Sequence, residues 1–190
     1  MAIRTMSMSS GGNQYNEGWH TLTIKQAEYG SWKSPTGDSK KFIDVWFNDY
    51  PENFNLRVYA VHNKETNEEF KIANLFRNAN AGIMSVLQDP TGKKPVIQYD
   101  DDASGLAGKT INAYFYKEEG KDGNQYARIF DDIAPIEQET DQLSWTIEQV
   151  SSLKSGVEKR VAMKKNAKSG SVGFGATTNS NNDPFAGIPS

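Results

Sequence analysis

Residues 68–87, EEFKIANLFRNANAGIMSVL, decide how this chain folds, because the spacing of its apolar residues changes there. Upstream they recur at every second position. From Glu68 onward Ile72, Leu75, Phe76, Ala79, Ile83, Val86 and Leu87 recur at steps of three and four. Such steps collect side chains on one stripe of a helix, so the spacing predicts an amphipathic helix lying on a core. Asn67 stands where an N-cap belongs, Glu68 and Glu69 suit the positive end of the helix dipole, and Gly82 marks a kink.

Working outward, the flanking segments alternate as half-buried strands do. WHTLTIKQAEY (19–29) puts His20, Leu22 and Ile24 on one face and Trp19, Thr21, Thr23 and Lys25 on the other. KKFIDVWFN (40–48) sets Ile43, Val45 and Phe47 against Phe42, Asp44 and Trp46, and FNLRVYAV (54–61) sets Phe54, Leu56, Val58 and Ala60 against Asn55, Arg57, Tyr59 and Val61. Beyond the helix, KTINAYFYK (109–117) and NQYARIFDDI (124–133) read as a hairpin joined by a Gly-rich loop. Three strands, a helix and two strands is the element order of the OB fold. The expected fold is therefore mainly β, a five-stranded OB-fold barrel with one helix between strands 3 and 4, plus a short C-terminal helix and a disordered tail. A β-sandwich could hold the same elements.

The implied organisation has four parts. Residues 1–18 form a Ser/Gly/Asn-rich, disordered arm, residues 19–136 the OB domain, residues 137–168 a linker and basic amphipathic helix, and residues 169–190 a disordered tail. In the third part, Thr146 and Gln149 have capping-box spacing with Trp145 and Val150 as a staple, and Ile147, Val150, Leu153, Val157 and Val161 form a thin apolar stripe. Lys154, Lys159, Arg160, Lys164, Lys165 and Lys168 flank it.

Composition excludes several classes. There is no Cys and only His20 and His62, which rules out disulfides and Cys/His zinc sites. No apolar run reaches signal-peptide or membrane-span length, so a soluble cytoplasmic protein is expected, with no membrane partner. The formal net charge of −3 gives no global attraction to polyanions, so any such binding must be local. ASGLAGKT (103–110) imitates a phosphate-binding loop, but a strand rather than a helix follows it, and it reads as a turn. Asp100, Asp101 and Asp102 and the pair Asp131, Asp132 alternate faces and read as solvated acids rather than metal ligands. His20 and His62 lack partners at catalytic spacing, so no enzyme, metal or cofactor is expected.

The side of the strands turned away from the core carries unusual residues for solvent. Phe42, Trp46, Arg57, Tyr59, Tyr114, Tyr116, Tyr126, Arg128 and Phe130 fall there, with Lys33, Lys40, Lys41, Lys109 and Lys117 near strand ends. Rings interleaved with cations suit unpaired nucleic acid, because bases stack on rings while cations hold phosphates. The residues expected to bind it are Lys33, Lys41, Phe42, Trp46, Arg57, Tyr59, Tyr114, Tyr116, Tyr126 and Arg128. Aromatics are also good strand formers, and some of these rings could be covered by the first eighteen residues or by the Trp145 helix. Aromatic faces bind sugars too, which leaves a structural or carbohydrate-binding virion protein as the alternative.

The GK-T entry to the fourth strand (Gly108, Lys109, Thr110), the IFDDI close (129–133) and a Gly/Ser/Asn-rich tail reaching Asp183, Pro184 and Phe185 resemble the single-stranded-DNA-binding proteins of bacteria and their phages, a small phage-encoded group above all. The resemblance covers Trp19 to Pro135 and the tail. It implies coating of single-stranded DNA in replication, recombination and repair, and a tail tip that docks replication or recombination proteins through Asp183, Pro184, Phe185 and Ile188. This tip has a single Asp and runs on past the Phe through AGIPS, unlike the family's, which is richer in acid and ends at the Phe. A homo-oligomer is compatible with the flat strand edges and is specified by nothing.

Overall fold

The computed structural model describes residues 15–33, 37, 39–88, 95–140 and 143–169. The tail residues Asp183, Pro184, Phe185 and Ile188 lie outside them, as does most of the N-terminal arm. Among the described residues the chain is mainly β, with one large antiparallel sheet and two α-helices. Its elements are β1 (Gly18–Lys33), β2 (Ser39–Phe47), β3 (Leu56–Tyr59), α1 (Lys71–Ala79), β4 (Ile83–Gln88), β5 (Pro95–Tyr99), β6 (Thr110–Glu119), β7 (Gln125–Ala134) and α2 (Ile147–Ser169). The large sheet runs β3-β2-β1-β6-β7, and β4 and β5 form a separate hairpin.

The sheet is organised by β1, which is longer than its alternation suggests and has two partners. Gly18–Thr23 pairs with β6, and Ile24–Lys33 pairs with β2. Between the pairs Ile24–Phe47 and Gln26–Trp46 the register slips, leaving Lys25 as the extra residue of a β-bulge. The bulge inverts the alternation, so the core face carries Leu22 and Ile24 before it and Ala27 after it. Ile43, Val45, Phe47, Leu56, Val58, Ile111 and Phe115 fill the same core as expected, and one face of α1 closes it with Ile72, Leu75, Phe76 and Ala79.

Two expectations fail here. The expected closed barrel is absent: among the described residues no hydrogen-bonded ladder joins the two edge strands β3 and β7, although they approach one another. β3 is only four residues long and spends them pairing with β2, while Phe54, expected to begin it, packs on the core from the preceding loop. The helix predicted through Leu87 ends at Ala79, and β4 follows. Asn80 adopts the left-handed conformation that ends helices, its N–H and that of Ala81 reaching back to the last turn. Gly82 then turns with φ of +62°, its carbonyl accepting from Asp100 N, where a Cβ would overlap the Asp100 carbonyl. Ile83, Val86 and Leu87 thus fit a helical stripe in number but sit in a strand.

The helix start also differs. Asn67 lies upstream with φ of 56°, and Phe70 at the N-cap makes no side-chain cap bond. The Glu69 carboxylate does the capping, accepting from the backbone N–H groups of Lys71, Ile72 and Ala73 at 2.8, 2.8 and 3.0 Å. Three of the four orphan donors of α1 thus share one anion at the positive end of the dipole. Replacing Glu69 with Ala is expected to lower the unfolding free energy by about 1–2 kcal/mol. Urea unfolding of the two proteins checks this, and an unchanged midpoint would contradict the capping role.

Candidate nucleic-acid interface

The expected aromatic face is split into two parts with different fates. On β6 and β7 it is occupied by α2. The reciprocal cap of that helix forms as its spacing predicts: Thr146 N–H donates to Gln149 Oε1 at 3.0 Å, and Gln149 N–H to Thr146 Oγ1 at 3.3 Å. Val157 and Val161 then pack on Tyr116 and Phe130, with Trp19 and Tyr114 at the margin. Tyr116 retains 7% exposure and presents no face to solvent, contrary to expectation, and Tyr114 is half-buried, in edge contact with the Trp19 ring at 5.3 Å.

Four of the basic residues of α2, Lys154, Arg160, Lys164 and Lys165, turn toward the sheet and tie the helix down. Lys164 Nζ donates to the Tyr116 hydroxyl at 2.8 Å and lies 4.8 Å from the Tyr116 ring, and Lys154 lies 5.2 Å from the Trp19 ring. Arg160 Nε donates to Asp132 at 2.7 Å, and Lys165 pairs with Glu17. Asp132 also binds Lys71 at the start of α1, and Asp131 lies 3.2 Å from the same ammonium, so this acid pair is an anchor joining both helices to β7. Among the described residues no three His or acidic groups could hold a metal ion. His20 is half-buried at the edge of the core: its ring stacks on Phe115 at 4.1 Å and Nε2 lies 2.7 Å from the Asn16 carbonyl.

On β1, β2 and β3 no helix among the described residues covers the outer face. Cross-strand rows there run Trp32–Lys40, Gly30–Phe42–Tyr59, Glu28–Asp44–Arg57 and Gln26–Trp46. Trp32, which the alternation before the bulge assigns to the wrong side, joins this face and is 48% exposed. Tyr59 is 39% exposed, and the half-buried Trp46 indole donates to the Glu52 carbonyl at 3.0 Å. Phe42 is more enclosed than expected, at 8% exposure. Its ring lies across Gly30, where any Cβ would overlap it, with Arg57 4.0 Å above and Tyr59 edge-on at 5.7 Å.

Arg57 is also not the open cation that was expected. It grips Asp44 with two bonds, Nε to Oδ1 at 2.8 Å and a terminal nitrogen to Oδ2 at 2.7 Å. That bond to Asp44 is the chief cause holding the guanidinium above its ordinary pKa. Asp44 is thus half of an ion pair. Lys33 and Lys41 leave this face altogether, since the register pairs them with Ser39 and Ser31 on the opposite side. Tyr29 shares their side, its hydroxyl pushed up to about 12 by burial and then by Asp101.

Tyr126 and Arg128, at the tip of the β6–β7 hairpin, remain open. Tyr126 is 42% exposed and rigidly held, its edge packed against Gly120 and its hydroxyl donating to Asp122 at 2.5 Å. Arg128 lies 5.9 Å from the Tyr126 ring and 3.5 Å from Glu118. Both line a groove of about 490 Å³ between the hairpin and the 51–54 loop.

Neither any protein-family model nor any curated protein matches this chain. No described helix is long and apolar enough to cross a membrane.

The Tyr126 hydrogen bond is the largest cause lowering the Asp122 pKa, ahead of Asn124. A depressed carboxylate stabilises the fold above its unfolded pKa and loses that contribution as pH falls through the folded value. The clamp on Tyr126 is therefore complete at neutral pH and weakens only in acid. Tyr126→Phe is expected to raise the Asp122 pKa toward the ordinary carboxylate value, read by NMR titration of its side-chain carbon. An unshifted titration would contradict the clamp.

Proposed function

We propose that this chain is a non-enzymatic, sequence-tolerant single-stranded DNA-binding protein built on an OB-type β fold, with unpaired bases stacking on the outer face of β1, β2 and β3. The observation that carries this reading is the uncovered row of rings there: Trp32, Tyr59 and Trp46 stand on one face with Lys40 among them, while the other aromatic patch is closed by α2. Bases of every kind present a π-face, worth roughly 1–3 kcal/mol each on a ring, so stacking gives affinity without strong sequence preference. The strand order, with β1 shared between two antiparallel halves and α1 following the third strand, supports the OB-type reading. The row Glu28–Asp44–Arg57 is acidic by one formal charge, so phosphates would run beside it rather than over it. Recruitment of replication or recombination proteins through Asp183, Pro184, Phe185 and Ile188 belongs to the same proposal, with host cytoplasm as the place of action.

The Arg57–Asp44 pair favours one other reading. A guanidinium already neutralised attracts phosphate less, and a ring-rich neutral face also suits carbohydrate. Soluble oligosaccharides that displaced DNA, or bound in its place, would select that alternative.

Tryptophan fluorescence titrated with oligo(dT) is expected to quench, with affinity falling by about 0.7 log units per log unit of salt for each phosphate contacted. Trp46→Ala should weaken binding about tenfold with an unchanged salt slope. A silent titration at low ionic strength, or equal affinity for duplex, would refute the proposal.

A further inference from the structure

The uncovered face is not uniform across its width. β2 and β3 bring rings to it, Phe42, Trp46 and Tyr59, whereas the part of β1 that follows the bulge brings hydrogen-bonding groups, Gln26 opposite Trp46 and Glu28 opposite Asp44. The bulge at Lys25 puts them there. By inverting the alternation it sends Ala27 to the core and turns Gln26 and Glu28 to the outer side, where both are exposed.

Glu28 and Asp44 stand side by side in one row with different roles. Asp44 keeps only 8% exposure, and both of its oxygens are taken by Arg57. Among the described residues no cation pairs with Glu28, so its carboxylate keeps its lone pairs for other donors. A phosphate offers no donor and is repelled. The amino group of a base is a donor without charge.

The register decides which base meets it. Residues directly opposite on neighbouring strands lie roughly 5 Å apart, and diagonal neighbours roughly 7–8 Å apart, within reach of long side chains. A base lying on the Trp46 ring therefore has Gln26 beside its edge and Glu28 one diagonal step away. The ring itself is fixed by the bond from its indole N–H to the Glu52 carbonyl at 3.0 Å. A carboxylate only accepts hydrogen bonds, whereas an amide both donates and accepts. Cytosine, adenine and guanine each carry an amino donor with an acceptor on the same edge, which matches this pair. Thymine and uracil carry one N–H set between two carbonyl oxygens, and a carboxylate repels both oxygens.

From this juxtaposition we infer that Glu28, assisted by Gln26, is a specificity-determining residue of the ring face, favouring at the Trp46 position a base with an exocyclic amino group over thymine or uracil. The inference rests on the proposed function and deepens it: Tyr59 and Trp32 accept any base by stacking, and one position of the bound strand is read by its edge. A base paired in a duplex has that edge engaged, so the reading applies to single strands.

The test is fluorescence anisotropy of labelled oligo(dC) and oligo(dU) of equal length, which differ only at ring positions 3 and 4, with the full chain and with Glu28→Gln, both checked by circular dichroism. Glu28→Gln removes a charge that repels phosphates, so both oligonucleotides are expected to bind more tightly. Its amide also supplies a donor that suits the uracil oxygen, so the ratio of affinities, dC over dU, is expected to fall about threefold to tenfold. If the variant changes both affinities by the same factor, Glu28 acts only as a like charge beside the strand; the specificity role is then wrong and the proposed function stands. If the unmodified protein binds neither oligonucleotide at low ionic strength, both fall together.

Discussion

Everything in the sheet follows from the change of partner that β1 makes at Ile24. The Ile24 N–H donates to the Lys109 carbonyl and its carbonyl accepts from Gly108 N–H, each at 2.8 Å, while the Thr23 carbonyl accepts from Asn48 N–H at 3.0 Å. Within two residues the strand has let go of β6 and taken up β2, and the unpaired Lys25 absorbs the mismatch. One strand thereby serves two antiparallel halves. Its inverted alternation sends Ala27 into the core and turns Gly30 and Trp32 outward, where Gly30 makes room for the Phe42 ring.

The two aromatic surfaces have the same composition and opposite fates. Rings with cations nearby attract whatever presents the complementary groups, and on β6 and β7 that is α2. Lys164 bonds and stacks on Tyr116, Lys154 stacks on Trp19, and Arg160 and Lys165 pair with acids of the sheet side. The basic run that stands out in the sequence is thus largely engaged within the chain. What remains for a ligand is the face from Trp32 to Trp46.

Legibility followed the physics of each signal. Alternation identified Ile43, Val45, Phe47, Ile111 and Phe115 as core because a strand with one buried face must alternate. The Thr146–Gln149 cap was readable because both of its members lie three residues apart. The bulge was not readable: Lys25 is unremarkable, and a single inserted residue changes parity without changing composition. The helix was carried too far because Ile83, Val86 and Leu87 satisfy a stripe of 3.6 as well as two faces of a hairpin, and only the left-handed turn at Asn80 decides. The cap was sought at Asn67, whereas Glu69, placed by its charge at the positive end of the helix, reaches the donors from outside the position where caps are sought. For the site, residue type was legible and exposure was not. Phe42, Tyr116 and Arg57 have the right chemistry, yet Gly30, α2 and Asp44 respectively engage them.

The central claim is that unpaired bases lie on the rings of β1, β2 and β3 and not on those beneath α2. Ultraviolet cross-linking of oligo(dT) to the full chain, with the attached residues located by mass spectrometry, tests it most directly. The account predicts adducts on Trp32, Trp46 or Tyr59. Adducts confined to Trp19, Tyr114 and Tyr116 would contradict it.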